Sequence, residues 1–149
     1  SELESGHHYV QVVAYMKEMS NSLMHIVQPA FNHLDNNHPL DKEQIQVLKD
    51  FNDKAGEFFN FTINILKNRN FSSIPELVKR RDEMIDQANS ILVHRIKILK
   101  KTQKGVKISV TYMEMLSETK NLFLSVVHLV KAESLLLESM EQNGVKIKN

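Results

Sequence analysis

The sequence predicts an all-α protein, an antiparallel up-down four-helix bundle, and three observations carry that expectation. Apolar residues recur at alternating spacings of three and four along most of the chain, and no strand-like alternation competes with them. Only four Gly and three Pro occur in 149 residues, and they cluster at junctions. Four segments of about 25–35 residues joined by short turns are the signature of an up-down bundle.

The first segment places Tyr9, Val12, Val13, Met16, Met19, Leu23, Ile26, Val27, Ala30 and Leu34 on one stripe. Pro29 removes an internal hydrogen bond and loosens its last turns. The stretch His33–Asp41, "HLDNNHPLD", is a polar turn, after which Asp41 is an N-cap with Gln44 in the capping-box position. The second segment turns Ile45, Leu48, Phe51, Ala55, Phe58, Phe59, Thr62, Ile65 and Leu66 inward and ends in "KNRNFSS". Ser73 with Glu76 forms a second S-x-x-E box, with Pro75 in the first turn where proline is tolerated. The third segment runs to about residue 101, with Leu77, Met84, Ile85, Ala88, Ile91, Leu92, Ile98 and Leu99 facing in. Gly105 marks the next turn. The fourth segment carries Ile108, Tyr112, Met115, Thr119, Leu122, Phe123, Val126, Val130, Leu136 and Leu137 on its inner side. The tail "EQNGVKIKN" is expected to fray.

Bulk properties narrow the function. The length fits one domain, residues 1–149, large enough to bury a core without a staple. Cysteine is absent, which removes thiolate chemistry and disulfides and fits a reducing compartment. Nineteen basic against eighteen acidic residues leave a net charge of +1, so no one-sided basic excess points to nucleic acid. No apolar run reaches the roughly 18–20 residues of a membrane span, and no signal-peptide pattern opens the sequence. The chain reads as soluble, and its first residue, Ser1, suggests a piece of something larger.

One pattern exceeds the ordinary. Acid pairs at i,i+4 occur at Asp53/Glu57, Asp82/Asp86 and Glu114/Glu118, and each is followed at i+7 by an asparagine: Asn60, Asn89 and Asn121. Random placement of these residue types gives roughly 0.2 such patterns. The first segment holds a partial copy, Glu18 and Asn21, with Ala14 where the first acid would stand. Counted from the turns, the copies fall at comparable heights, a belt around mid-bundle. At 100° per residue, Asp82 and Asp86 point roughly 130–170° away from the apolar centre of their helix, and Asp53 and Glu57 do the same. Glu114, Glu118, Asn121, Ser125 and His128 sit instead on a flank of the fourth segment. Two readings stand. One is a solvated outer face. The other is a surface cation site, in which carboxylates one turn apart share a hard or borderline metal and asparagine adds a neutral oxygen.

The seven histidines, His7, His8, His25, His33, His38, His94 and His128, do not pair at metal spacing on one face. His25 and His128 are at most accessory ligands beside Glu18 and Asn121. Arg95 falls in the apolar seam of the third segment, where a charge is costly unless paired, and Glu133 in the fourth seam is a candidate partner. Met113, Met115 and Met140 are read as gap-filling core. The basic run from Arg95 to Lys104, with Lys107, either complements the helix dipole or meets anionic headgroups or an acidic partner. No Ser–His–acid series, phosphate loop or nucleotide fingerprint is present, so an enzyme is not expected.

Long helices with i,i+4 acid pairs resemble the PhoU-like family, whose bundles carry repeated E/D-x-x-x-D motifs. "HYVQVVAYMKEMSNSL" (His8–Leu23) and "YMEMLSETKNLFLSVVHLVKA" (Tyr112–Ala132) look like segments of the PhoU-like domain appended to some bacterial inorganic phosphate transporters of the PiT type. The resemblance spans residues 8–134. It implies a non-catalytic regulatory domain on the cytoplasmic face of the bacterial inner membrane. The domain would be joined in one polypeptide to a permease performing cation-coupled phosphate uptake, with a homo-oligomer left open. It also implies surface metal binding, by a divalent or iron-type ion, through the acidic motifs. Asp82/Asp86 matches the motif, while Asp53/Glu57 and Glu114/Glu118 have Glu in place of the final Asp. The family's E-R-x-x-D is not reproduced on the last segment, where Glu118 is followed by Thr119, Lys120, Asn121 and Leu122. The alternative is a free-standing helical scaffold or signalling bundle that binds a partner helix.

Overall fold

Asp41 opens the first helix that can be followed from end to end. Its extended backbone lets Oδ1 accept the Gln44 backbone N–H at 2.8 Å, while Gln44 Oε1 accepts the Asp41 N–H at 3.1 Å. This reciprocal pair is the capping box expected from the sequence, and such caps contribute about 1 kcal/mol. It starts α1, Lys42–Asn68. The computed structural model describes residues 10–12, 14, 17, 41–99 and 105–144. Val10, Gln11, Val12, Ala14 and Lys17 are helical. Pro29, the polar turn at 33–40 and Lys100–Lys104 of the basic run lie outside the described residues, as do Tyr9, Glu18 and Asn21.

α1 ends without a glycine. Arg69 takes the left-handed conformation, φ 52°, and two backbone bonds close the helix around it: Asn70 N–H to Ile65 O at 3.0 Å and Arg69 N–H to Leu66 O at 3.4 Å. This 6→1 and 5→2 pattern is the Schellman closure, which glycine usually serves. Asn70 then organises the short 3-10 turn Phe71–Ser73, accepting the Ser72 hydroxyl at 2.7 Å and donating to Ser73 Oγ at 2.9 Å. α2, Ile74–Leu99, follows directly with Pro75 in its first turn. Of the two side chains expected to form a second capping box, Ser73 accepts from Asn70 and Glu76 bonds Arg80. α3, Gly105–Gln142, completes the described chain, at 38 residues the longest of the three. The described residues are all helical apart from turns and contain no strand.

α2 packs against both α1 and α3, and α1 meets α3 through aromatic rings. Phe123 is fully buried and sits among Phe51, Phe58 and Phe59 of α1. The Phe58 and Phe123 centroids lie 5.1 Å apart at 72°, and Phe51 meets Phe123 edge-on at 6.4 Å and 84°. Leu66, Leu77, Val126, Val127 and Val130 are also wholly buried, and Val12 of the N-terminal segment joins the same core. Buried Thr62 returns its hydroxyl to Phe58 O at 2.8 Å, so no polar group is left unsatisfied there.

The inward rows correct four of the sequence expectations. On α1 the row runs Gln44, Leu48, Phe51, Ala55, Phe58, so Gln44 takes the inward place assigned to Ile45, which is 41% exposed. On α2 the row passes through Leu92 to Arg95, which leaves Ile98 at its edge and partly exposed. On α3 it runs Val126, Val130, Glu133, Leu137, and Leu136, 100° round the helix, stays exposed. Met113 is 53% exposed rather than core, ten residues (about 15 Å) before the Phe123 layer. Among the described residues Gly56 is the one glycine away from a junction, lying inside α1.

Candidate functional site

All six carboxylates of the acidic pattern reach solvent. Asp53 and Glu57 are exposed on α1, Asp82 and Asp86 on α2, and Glu114 and Glu118 on α3. Asn60 and Asn121 are exposed as well, and Asn89 is half-buried. The cause is periodicity: these positions oppose the apolar rows that hold Phe58, Met84 and Phe123 in the core.

The helices bring some of these acids together and keep others apart. A groove of about 690 Å³ runs between α1 and α2, and both Glu57 and Asp86 line it. Glu76 and Glu83 add two more carboxylates to its walls, while Lys54, Lys79 and Arg80 contribute three cations. Asp53 and Asp82 are not part of that lining, and Glu114 and Glu118 sit on α3 away from it.

Charge within the groove is therefore mixed. Arg80 Nε bonds Glu76 Oε1 at 3.2 Å, and its guanidinium lies 4.0 Å from the centroid of the Phe61 ring. Asp82 Oδ1 accepts from Arg81 Nε at 3.0 Å, with the Asp82 side chain 60% exposed. Exposed pairs of this kind contribute about 0–1 kcal/mol each, so they arrange the surface more than they stabilise it. Among the described residues no three His, Asp or Glu side chains gather closely enough to hold a metal ion. The arrangement can attract a cation to one turn of carboxylates, or dock a partner of alternating charge.

Sequence reasoning did not identify Lys54, Lys79 or Arg80 as neighbours of the acids. A signal was present, because Glu76/Arg80 and Lys79/Glu83 are spaced i,i+4 on α2, the spacing at which opposite charges meet. His94 and His128 are exposed; the other five histidines lie outside the described residues. Arg95 and Glu133 occupy inward positions as expected, each 5% exposed. Arg95 Nη1 donates to Gln44 Oε1 at 3.3 Å, joining the start of α1 to the end of α2. Among the described residues no helix is long and apolar enough to cross a membrane. The chain matches no family model, no curated protein and no solved structure.

Proposed function

We propose that this chain is a non-catalytic regulatory domain of an inorganic phosphate transporter that performs cation-coupled uptake. It is a PhoU-like antiparallel four-helix bundle on the cytoplasmic face of the bacterial inner membrane, continuous with the permease. The reading rests first on the resemblance of His8–Leu23 and Tyr112–Ala132 to such domains. The observation that carries it further is that Asp82 and Asp86, the closest match to the family motif, project one turn apart from the outer face of α2. Asp86 shares its groove with Glu57 of α1, which suits surface metal binding better than a closed cage. The antiparallel arrangement is supported by the contact between Gln44, at the start of α1, and Arg95, near the end of α2.

Thermal-shift titration of the protein and of Asp82→Asn/Asp86→Asn with Mn²⁺ and Mg²⁺ tests the metal part. Stabilisation of the first and not of the second supports it, and identical responses defeat it. The attachment to a permease is tested in the gene: about ten or more apolar spans encoded upstream support it, and an independent start codon sinks it.

A second reading, a scaffold or signalling bundle that binds a partner helix, is favoured by one feature. Leu135 and Leu136 are adjacent on α3 and 66% and 43% exposed, apolar area that a partner could cover. An independent start codon, with no permease encoded in frame, together with capture of an amphipathic helical peptide lost in Leu135→Ser/Leu136→Ser, would favour this second reading.

A further inference from the structure

We infer that Asn143–Gly144, at the end of α3, is a site of spontaneous succinimide chemistry. There Asn143 converts to aspartate and isoaspartate, which places a new carboxylate on the helix terminus. The sequence contains this dipeptide once. α3 closes at Gln142, and Asn143 and Gly144 follow as an exposed turn. Gly144 takes the left-handed conformation, φ 78°. Of the described residues, none but its chain neighbours lies within 4 Å of where a Cβ would stand. The Gly144 nitrogen is therefore unhindered twice over, by its own lack of a side chain and by its open surroundings.

The other described asparagines lack this opening. Asn52, Asn60, Asn64, Asn89 and Asn121 lie inside helices. There the following N–H is held in the i→i−4 ladder, and the helical backbone keeps that nitrogen away from Cγ. Asn68 and Asn70 precede Arg69 and Phe71, whose side chains crowd the attacking nitrogen. The end of α3 is also weakly held. Asn143 N–H donates to Ser139 O at 3.2 Å and Gly144 N–H to Glu141 O at 3.1 Å, both at exposed residues. No basic residue stands in the last turn, while Glu138 and Glu141 bring negative charge to the negative end of the helix dipole. A terminus of this kind opens at little cost, and opening frees the Gly144 nitrogen.

The steps balance without a cofactor. Hydroxide takes the Gly144 amide proton, and the nitrogen attacks Asn143 Cγ. The N–Cγ bond forms, the Cγ–Nδ2 bond breaks, and the side-chain amide leaves as ammonia with a proton from water. Water then opens the cyclic imide at either of its carbonyls, giving Asp or isoAsp. Water is the co-reactant consumed, and nothing is oxidised or reduced. The product adds a carboxylate beside Glu138 and Glu141, against the dipole, so conversion loosens the terminus further. The site is independent of the transporter reading and of the acidic groove.

Peptide mapping by mass spectrometry tests the site, on the 149-residue chain held warm at mildly alkaline pH. The mass gain of one amide-to-acid exchange is expected in the peptide carrying Asn143, as a mixture of Asp and isoAsp, with Asn89 and Asn121 unconverted. Gly144→Ala, which adds a Cβ beside the attacking nitrogen, is expected to slow the gain several-fold. No conversion at Asn143 overturns the assignment, as does conversion of Asn89 or Asn121 at an equal rate, or an unchanged rate in Gly144→Ala. Asn143→Asp installs the carboxylate outright and is expected to speed amide hydrogen exchange at Glu141, Gln142 and Gly144 several-fold. Unchanged exchange in that variant overturns the effect on the helix end.

Discussion

Arg95 and Gln44 meet through a single oxygen that is used twice. Gln44 Oε1 accepts Arg95 Nη1 at 3.3 Å and the Asp41 backbone N–H at 3.1 Å. The cap of α1 and the buried cation of α2 are thereby coupled, although they lie 51 residues apart in sequence. Gln44→Leu is expected to destabilise by about 1–2 kcal/mol, removing both a cap partner and a bond to a charged group. Arg95→Ala is expected to cost about 3 kcal/mol. In urea denaturation the double variant should cost less than the sum of the two, by about 1 kcal/mol. Strict additivity would show that the shared oxygen carries no coupling.

Phe123 is the centre of the aromatic layer, wholly buried against Phe51, Phe58 and Phe59. Phe123→Ala is expected to lower stability by about 3–5 kcal/mol, with a matching fall in denaturation midpoint. Leu135→Ser on the same helix, at a position 66% exposed, should stay within about 0.5 kcal/mol of the parent.

Arg69 bears the left-handed conformation at the end of α1, a place where a Cβ is unfavourable. Arg69→Gly is expected to leave stability unchanged or raise it by up to about 1 kcal/mol. Arg69→Val is expected to lower it by about 1–2 kcal/mol. Thermal melts of the pair, compared with each other, read the backbone term directly.

Asp41 is exposed, so its contribution to stability is the cap itself. Asp41→Ala is expected to cost about 1 kcal/mol, and Asp41→Asn, still an acceptor, only a few tenths. Equal losses in the two variants would assign the effect to charge at the helix N-terminus instead.

Much of the fold was legible in the sequence, because a single period governs these helices. The Asp41/Gln44 box, the inward Phe51, Phe58 and Phe123, and the outward acids all follow from spacing and residue type. The seam positions of Arg95 and Glu133 were readable for the same reason. Ile45, Ile98 and Leu136 were misplaced because each lies one position from the inward row, and periodicity does not separate the edge of a stripe from its centre.

The sequence by itself determined the helical character, the helix-starting cap and the solvent-facing direction of Asp53, Glu57, Asp82 and Asp86, since each is local to a few turns of chain; Glu114 and Glu118, placed on a flank of their helix by the sequence, are exposed in the structure. The tertiary structure alone decided which of those acids share a groove. It brings Glu57 to Asp86 among Lys54, Lys79 and Arg80, and it leaves Glu114 and Glu118 on another helix. It also decided that Gln44 reaches Arg95 and that a pocket opens beside them. The physical reason is that helix period sets the direction of a side chain about its own axis, whereas the neighbour it meets depends on how two helices lie against each other.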